Sequence, residues 1–279
     1  MNLEMNTNFN ENSEARKNLN DAKRIVIKIG TSSLTYENGH INLHRIGRLS
    51  RVISDLENQG REVVLVSSGA IGVGVDKLKL PSKPTEVSMR QAAASVGQSI
   101  LMNIYNQFFS EYGYTVAQIL LTKDVIDRAD SKQNVTNTFN ELLAMNVVPI
   151  VNENDTVSVD EIKFGDNDFL SYVVSSLIKA DALIILSDID GFYDKNPNEF
   201  KDAHMYHTIT DLSEKIEAEA GGAGSKLGTG GMLTKVHACR LAAEIGINAV
   251  VANGSDPEII YDILSGKDCG TMFVAKDAK

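Results

Sequence analysis

The chain has 279 residues, of which 43% are hydrophobic, so it can bury the core of one large α/β domain or two smaller ones. Its net charge of −10 argues against a polyanion-binding surface, and we expect no nucleic acid among its partners. No apolar run reaches the ~20 residues that span a bilayer, and the first 23 residues lack the apolar segment of a signal peptide. We therefore expect no membrane partner and a cytoplasmic location, in which the two cysteines stay reduced.

Residues 1–22 are rich in Asn and Glu and carry few apolar side chains. Such a segment has little apolar surface to offset the entropy of ordering, so we predict a mobile tail there and a single domain over 23–279. Beyond the tail, short apolar runs predict strands and apolar residues at helical spacing predict helices. In chain order these are a strand at 24–29, a helix over 43–56, a strand at 63–66, a helix over 88–112, a strand at 115–121, a helix near 135–145, a strand at 147–151, a buried helix at 169–178, a strand at 183–186 and a helix–strand–helix set over 234–264.

This alternation of strands and helices predicts an α/β fold with an open, mostly parallel sheet between two layers of helices. Buried parallel strands form continuous apolar runs because helices cover both faces of the sheet. Ligands of such sheets bind beyond the carboxyl ends of the strands. Polar or glycine-rich clusters stand at four of these ends, at residues 30–33, 67–70, 152–155 and 187–191. We therefore expect these clusters to surround one crevice.

The richest of these clusters follows the strand at 147–151. The tetrapeptide Asn-Glu-Asn-Asp occupies 152–155, and Gly-Asp-Asn-Asp occupies 165–168 just before the next helix. Solvent-exposed loops are polar too, but they rarely carry clusters of Asn and Asp on both sides of a β-like segment. The pattern predicts a built site for an ammonium group, a metal ion or lysines that grip a phosphate.

Two lysines could form such a phosphate grip. Lys28 lies one residue before the end of the first strand, bracketed by isoleucines, and the alternative is an edge-strand lysine whose amine reaches water. Lys235 follows a glycine-rich segment just as a helix begins. Glycines let backbone N–H groups approach phosphate oxygens, and a helix N-terminus adds partial positive charge. The alternative for residues 221–231 is a plain surface loop.

Other phosphate-binding motifs are absent from the sequence. The P-loop pattern Gly-x-x-x-x-Gly-Lys-Ser/Thr does not occur, since the pair Gly266-Lys267 is followed by Asp268. No Gly-x-Gly-x-x-Gly follows the first strand, and the His-Arg-Asp and Asp-Phe-Gly elements of protein kinases are missing. Phosphate binding must therefore use another fold.

The strand end at 187–191 is a second candidate for nucleotide binding. Asp188 could lie near the polar groups of a nucleotide, with Phe192 and Tyr193 as aromatic surface nearby; the alternative is an acidic turn with Gly191 at positive φ. Metal binding by the protein itself is not expected. No metal-ligand spacing is formed by the five histidines, His40, His44, His204, His207 and His237.

Five motifs stand in a fixed order along the chain: Lys28–Ser32, Ser67–Ile71, Asn152–Asp155, Gly165–Asp168 and Gly228–Lys235. On these motifs the chain resembles the amino acid kinase family over roughly residues 23–275. The Lys28 and Gly-Gly-x-x-x-Lys elements are shared across that family. The Asn-Glu-Asn-Asp and Gly-Asp-Asn-Asp pair, with the intervening Glu161-Ile162-Lys163, resembles more specifically the branch that phosphorylates the γ-carboxylate of L-glutamate.

The resemblance implies phosphoryl transfer from MgATP to L-glutamate, giving L-glutamyl 5-phosphate for proline biosynthesis, with Mg²⁺ held mainly through the ATP phosphates. By the same resemblance, Lys28 and Lys235 hold the transferring group and Asp168 orients the two lysines. The acceptor substrate is assigned to Ser68, Gly69, Ala70, Asp155, Asp166 and Asn167. ATP is assigned to Lys28, Gly30, Thr31, Ser187, Asp188, Thr229, Gly230, Gly231, Met232, Leu233, Thr234 and Lys235.

The family pattern further implies an acceptor lobe over about 23–180, a nucleotide lobe over about 181–279, feedback inhibition by proline, and a dimer or tetramer. Many members carry a C-terminal PUA domain, and we expect a short form without one. Two alternatives stay open: a kinase of the same fold for acetylglutamate, aspartate, carbamate or a nucleoside monophosphate, and a non-catalytic nucleotide or amino-acid sensor. The acidic residues 152–168 argue against a phosphorylated acceptor. Both lysines and Asp168 together argue against a sensor.

Overall fold

The computed structural model describes residues 9–36, 38–122, 127–157, 167–222 and 231–276. The strands are β1 (Arg24–Ile29), β2 (Glu62–Ser67), β3 (Thr115–Leu121), β4 (Val147–Glu153), β5 (Ala182–Ser187), β6 (Thr208–Ile209), β7 (Asn248–Asn253) and β8 (Thr271–Phe273). The helices are α1 (Phe9–Asn18), α2 (Thr31–Leu34), α3 (Leu43–Asn58), α4 (Ala70–Lys77), α5 (Val87–Glu111), α6 (Ala129–Ala144), α7 (Asn167–Ile178), α8 (Lys215–Gly222), α9 (Met232–Glu244) and α10 (Ile259–Leu264).

The eight strands form one sheet in the order β3-β4-β2-β1-β5-β7-β8-β6. Strands β3, β4, β2, β1, β5 and β7 are parallel to one another. The strand direction reverses at β8, which pairs antiparallel with β7. The prediction of an open, mostly parallel sheet is therefore confirmed. The short strands β6 and β8 were not predicted, because two or three residues are too few to show a period.

Helices cover both faces of this sheet, as predicted. Side chains alternate between the faces along each strand, so Val26 points to one face of β1 while Ile25 and Ile27 point to the other. The Val26 face packs against α6, α7 and α9. The Ile25 and Ile27 face packs against α3, α5 and α10. The three-layer architecture follows from this double burial.

The sheet order separates the strands of the first half of the chain from those of the second. Strands β1 to β4 form one side of the sheet and β5 to β8 form the other. The two sides meet at the parallel pair β1–β5, and the chain passes from one side to the other near residue 180. The sheet is continuous across this pair. The assignment of an acceptor role to residues 23–180 and a nucleotide role to 181–279 stays a prediction.

Residues 9–22 of the segment expected to be a mobile tail pack on the domain in the structure, and residues 1–8 lie outside the described part. Helix α1 and a 3₁₀ turn at Leu19–Asp21 pack on the domain, with Leu19 and Ala22 buried. Arg16 is also buried, and its guanidinium donates to four backbone carbonyls. The acceptors are His207, Lys267, Cys269 and Gly270. The polar composition of this segment suggested that the entropy cost of ordering it would be too large. A few apolar contacts and the several hydrogen bonds of one arginine offset that cost.

No helix among the described residues combines the length and apolar character that a membrane span requires. Cys239 is buried in α9 and Cys269 is half-buried, and both are free thiols.

Candidate active site

The four polar clusters predicted from the sequence lie at the carboxyl ends of β4, β2, β1 and β5. These strands are consecutive in the sheet and parallel to one another, so their carboxyl ends share one edge. The prediction of a common crevice rests on the rule that ligands of such sheets bind beyond the carboxyl ends of the strands, and the observed strand order puts these four ends side by side. The site is built from side chains at this edge and from the first turns of α4, α7 and α9.

Lys28 lies in β1, at the centre of the sheet. The two-residue period of a strand puts it on the same face as Val26, beneath α7 and α9, and it is 2% exposed. Its ammonium group forms an ion pair with Oδ1 of Asp168. The alternative of an edge-strand lysine reaching water is therefore wrong, because β1 is hydrogen-bonded on both sides, to β2 and β5.

Asp168, in the first turn of α7, joins two lysines from distant parts of the chain. Its carboxylate is fully buried; Oδ2 lies 3.1 Å from Nζ of Lys235 and accepts a hydrogen bond from the Thr234 hydroxyl at 2.8 Å. Burial by itself raises the pKa of Asp168, but the charges of Lys28 and Lys235 and the hydrogen bonds from Lys28 and Thr234 outweigh it and lower the pKa to about 2. We call Lys28, Asp168 and Lys235 the Lys–Asp–Lys cluster.

The Lys–Asp–Lys cluster holds two positive charges and one negative charge in a site shielded from water. Lys28, Asp168 and Lys235 are all at most 6% exposed. Charges in such surroundings interact more strongly than at a surface, since solvent screening is weak. The net positive charge can meet an anion. With its pKa lowered to about 2, Asp168 is ionised near neutrality and pairs with both ammonium groups.

A second set of side chains lies at the ends of β2 and β4. The Asn167 amide donates to Ser68 Oγ at 2.8 Å and to Asn152 Oδ1 at 2.8 Å. The Asn152 amide in turn donates to Gln98 Oε1 at 2.9 Å. Asn152 and Gln98 are buried, while Ser68 and Asn167 are half-buried. We call Gln98, Asn152, Asn167 and Ser68 the amide network.

Gln98 is the member of the amide network that the sequence interpretation missed. It lies in α5, on the same helical face as three buried residues. These are Ala94, four residues before it, Leu101, three residues after it, and Tyr105, four residues after Leu101. A polar side chain on that apolar stripe was the available signal. A polar residue at such a position is buried and must find a partner.

Gly69 and Ala70 form the start of α4, directly after β2. Gly69 has φ of +106°, which a residue with a side chain adopts only under strain, and it precedes the first helical residue, Ala70. The first N–H groups of a helix have no intrahelical partner, so this turn offers donors to an anion.

Asp155 follows β4 and is half-buried. Burial, helped by the negative charge of Glu153, raises the pKa of its carboxyl to about 6, while the positive charges of Arg90 and Lys83 act in the opposite direction. A cationic ligand would stabilise the ionised form of this carboxyl and so lower its pKa towards the ordinary value.

The residues predicted to bind a nucleotide are spread along the same edge. An ideal Cβ on Gly30 would lie 3.7 Å from the Lys28 ammonium, so Gly30 borders the Lys–Asp–Lys cluster; Thr31 is exposed beside it. Ser187 is buried and donates to the carboxylate of Asp188 at 3.1 Å, and Asp188 is exposed. The remaining described members lie at the start of α9: Gly231 is its N-cap, Met232 packs on the core, Leu233 is 39% exposed, and Thr234 and Lys235 reach Asp168.

Three predicted site residues lie outside the described part of the chain: Asp166, Thr229 and Gly230. The same holds for the motif residues Glu161, Ile162 and Lys163. Within the described ranges, no three His, Cys, Asp or Glu side chains come together as metal ligands would. The roles given to the site residues stay predictions, and the structure supplies their geometry.

The fold is shared with two solved kinases. The carbamate kinase of Giardia lamblia, solved with AMP-PNP bound, aligns with a TM-score of 0.66 over 92% of this chain and 100% of that chain, at 17% identity. The UMP kinase of Bacillus anthracis aligns with a TM-score of 0.60 over 92% and 97%, at 15% identity. At such low identity the likeness concerns the fold alone.

The sequence itself matches the Amino acid kinase family over residues 23–253. It is 59% identical to the glutamate 5-kinase of Clostridium perfringens, over 94% of this chain and 98% of that protein. It is 54% identical to the glutamate 5-kinase of Listeria innocua, over 94% and 96%, and 53% identical to that of Enterococcus faecalis, over 93% and 97%. The chain therefore belongs to the amino acid kinase family and groups with the glutamate 5-kinases within it.

Proposed function

We propose that this protein is an enzyme that transfers the γ-phosphoryl group of ATP to the γ-carboxylate of L-glutamate. The product is L-glutamyl 5-phosphate, the first intermediate of proline biosynthesis. The buried Lys–Asp–Lys cluster carries the proposal, because it places two ammonium groups beside an acceptor site at one edge of the sheet. The identity of 53–59% to three glutamate 5-kinases supports the choice of acceptor.

The reaction brings two anions together, and the cluster supplies what that requires. An oxygen of the γ-carboxylate forms a bond to the γ-phosphorus as the bond from that phosphorus to the ADP oxygen breaks. Lys28 and Lys235 neutralise the charge of the transferring group, and Asp168 keeps the two ammonium groups in place. Catalysis then depends on positioning and charge rather than on a covalent intermediate.

No general base is needed for this acceptor. A γ-carboxylate with an ordinary pKa near 4.3 is already ionised at neutral pH, so no proton leaves it during the transfer. The lowered pKa of Asp168, about 2, agrees with a residue that orients lysines rather than one that takes up a proton. A hydroxyl acceptor would need a base at this position.

The acceptor residues divide by charge in the same proposal. Asp155 binds the α-ammonium group of glutamate, which explains why a half-buried carboxylate is kept near that position. The N–H groups of Gly69 and Ala70 bind a carboxylate, and Ser68 and Asn167, joined by a hydrogen bond in the amide network, complete the acceptor site. Asp166 belongs to the same set by its motif.

ATP binds along the edge of β1, β5 and α9, through the twelve residues named for it in the sequence. Bound Mg²⁺ would spread the negative charge of the phosphates. Asp168 already pairs with two lysines and accepts a hydrogen bond from a threonine, so the ion would be held mainly through the phosphates of ATP.

Trapping the acyl phosphate with hydroxylamine tests this function. The protein is incubated with MgATP and L-glutamate, N-acetylglutamate or L-aspartate, and the hydroxamate is measured. We expect product from glutamate alone. Product only from another acceptor would keep the kinase and overturn the substrate. No product, with ATP still bound, would favour a nucleotide or amino-acid sensor.

The proposal extends to three properties that the family resemblance supports. Proline carries the amine and α-carboxylate of glutamate without its γ-carboxylate, so it can compete for the acceptor site without being phosphorylated. A dimer or tetramer is expected, and a monomer in sedimentation at micromolar concentration would contradict it. A cytoplasmic location agrees with two free thiols, Cys239 and Cys269.

A further inference from the structure

We propose that Gln98 is a positioning residue that fixes the orientation of the Asn167 amide and thereby selects acceptors that carry an α-ammonium group. This inference rests on the proposed glutamate kinase function and adds a determinant of specificity to it. Gln98 lies on α5 and reaches the site only through the amide network.

The orientation of Asn167 follows from counting its donors and acceptors. Its amide nitrogen has two hydrogens, and the two acceptors within reach are Ser68 Oγ and Asn152 Oδ1, each at 2.8 Å. Its Oδ1 is buried and has no hydrogen-bond partner among the described residues. A buried acceptor without a donor is costly, so a ligand that brings a donor to it is favoured.

Asn152 decides which end of the Asn167 amide is the donor, because it presents an oxygen to it. That oxygen is identified by two contacts. The backbone N–H of Glu153 donates to Asn152 Oδ1 at 2.9 Å, and the Asn152 nitrogen donates to Gln98 Oε1 at 2.9 Å. The donor of the first contact is a backbone N–H, so Gln98 is the side-chain partner of Asn152 whose substitution can weaken this orientation.

The packing of α5 on α4 makes this connection rigid. Gly97 has no room for a side chain, since a Cβ there would overlap the carbonyl oxygen of Ala70. Helix α5 therefore lies directly against the first turn of α4, the turn that begins with the predicted acceptor residue Ala70. Gln98 follows Gly97, so its reach to Asn152 is set by a backbone-to-backbone contact.

The consequence concerns the ligand. The α-ammonium group of an amino acid is a strong donor and can pair with Asn167 Oδ1, while Asp155 supplies the opposite charge. Turning the Asn167 amide over would present an N–H₂ group to that ammonium instead. A dicarboxylate without an amine, such as glutarate, has nothing to offer Oδ1 and should be indifferent to the change.

The test compares two substitutions at Gln98 by calorimetric binding of L-glutamate and of glutarate. Gln98→Leu removes the acceptor for Asn152 at similar volume, whereas Gln98→Glu keeps an acceptor oxygen there. Gln133→Leu is the matched control, because Gln133 is an exposed helical glutamine whose amide donates to Asn137 at 2.8 Å. Thermal unfolding of each variant is recorded beside binding.

We expect Gln98→Leu to weaken L-glutamate binding about tenfold and to change glutarate binding by less than about twofold, as for a lost hydrogen bond to a charged group. Gln98→Glu should recover most of the glutamate affinity, and Gln133→Leu should bind as the wild type does. In turnover, the loss should fall on KM for glutamate and leave KM for ATP unchanged.

Equal weakening of both ligands in Gln98→Leu would assign Gln98 a structural role and overturn the inference, as would unchanged glutamate affinity. Either result leaves the proposed function intact if the wild type still forms hydroxamate from glutamate. A wild type that neither binds glutamate nor forms hydroxamate would instead overturn the proposed function, and the inference with it.

Discussion

Asn167 and Asp168 are neighbours in the chain, and they serve two different kinds of site. Asp168 turns to two lysines and forms a charged cluster, whereas Asn167 turns to Ser68 and Asn152 and forms a neutral network. At the start of α7, Asp168 therefore belongs to the charged cluster and the preceding residue, Asn167, belongs to the hydrogen-bonded network. In the proposed function, phosphoryl transfer between anions needs charge and recognition of an amino acid needs directed hydrogen bonds, and the start of α7 would supply both.

The two regions should also respond differently to pH. The pKa of Asp168 is lowered to about 2, so its favourable contribution to stability is complete above its ordinary pKa near 3.8 and is lost only as the pH falls towards 2. Amides do not titrate. Among the site residues described above, Asp155 is the one expected to change activity between pH 5 and 7, because its pKa is raised to about 6.

The largest expected effect breaks the charged cluster. Lys235→Met removes one ammonium group while keeping most of the volume, and it should lower kcat by about 10²–10³, as for loss of one preorganised donor to a developing charge. KM for glutamate should change little, because the amide network is untouched. Hydroxamate formation under saturating substrates measures kcat.

Lys276→Met is the control for that substitution, since Lys276 is exposed and its Nζ lies 3.8 Å from Glu244. It should be fully active. Urea unfolding of both variants separates lost chemistry from lost folding. Intact turnover in folded Lys235→Met would remove the mechanistic assignment, whichever acceptor proves correct.

The next largest effect concerns the ammonium end of the acceptor. Asp155→Asn should raise KM for glutamate by about 10–100-fold, because an ion pair becomes a neutral contact. In the wild type, kcat/KM for glutamate should fall as the pH drops through about 6, where the free enzyme takes up a proton on Asp155. The variant should lack this decline. An unchanged pH profile in Asp155→Asn would show that another group titrates.

A smaller effect is expected from the hydroxyl that joins α9 to the cluster. Thr234→Val removes the 2.8 Å hydrogen bond to Asp168 Oδ2 and should lower kcat by about three- to tenfold, while both ammonium groups remain. Thr234→Ser keeps the hydroxyl and should retain most activity. Equal losses in the two variants would point to packing by the methyl group rather than to the hydrogen bond.

The smallest expected effect on activity lies outside both regions. Arg16→Met removes the hydrogen bonds from α1 to four carbonyls and should lower the free energy of unfolding by about 2–3 kcal/mol. Urea titration measures this, and turnover at 25 °C should be unchanged. Arg51→Met is the control, because Arg51 is exposed and lies 3.8 Å from Glu258. A large loss of kcat in Arg16→Met would link the N-terminal helix to catalysis.

The charged cluster could be predicted from the sequence to a greater extent than the amide network. Lys28 is unusual among strand residues and Lys235 follows a glycine-rich segment, so each stands out alone. Gln98 does not stand out, because one polar residue on a long helix is ordinary until its neighbours on the same face are known to be buried. The contacts of Arg16 were missed for a related reason: composition counts apolar residues, and it does not show which backbone carbonyls elsewhere in the fold accept hydrogen bonds from Arg16.

Three features can be read from the amino-acid sequence alone: the alternation of strands and helices, the polar ends of four strands and the residue types available for phosphate chemistry. These are local properties, read from hydrophobic period and from glycine and amide positions within a few residues. Two sets of contacts are visible only in the folded chain: Asp168 bonds two lysines 207 residues apart, and Gln98 reaches Asn167 through Asn152. Such contacts depend on strand order and helix packing, which join segments whose separation in the chain carries no local signal.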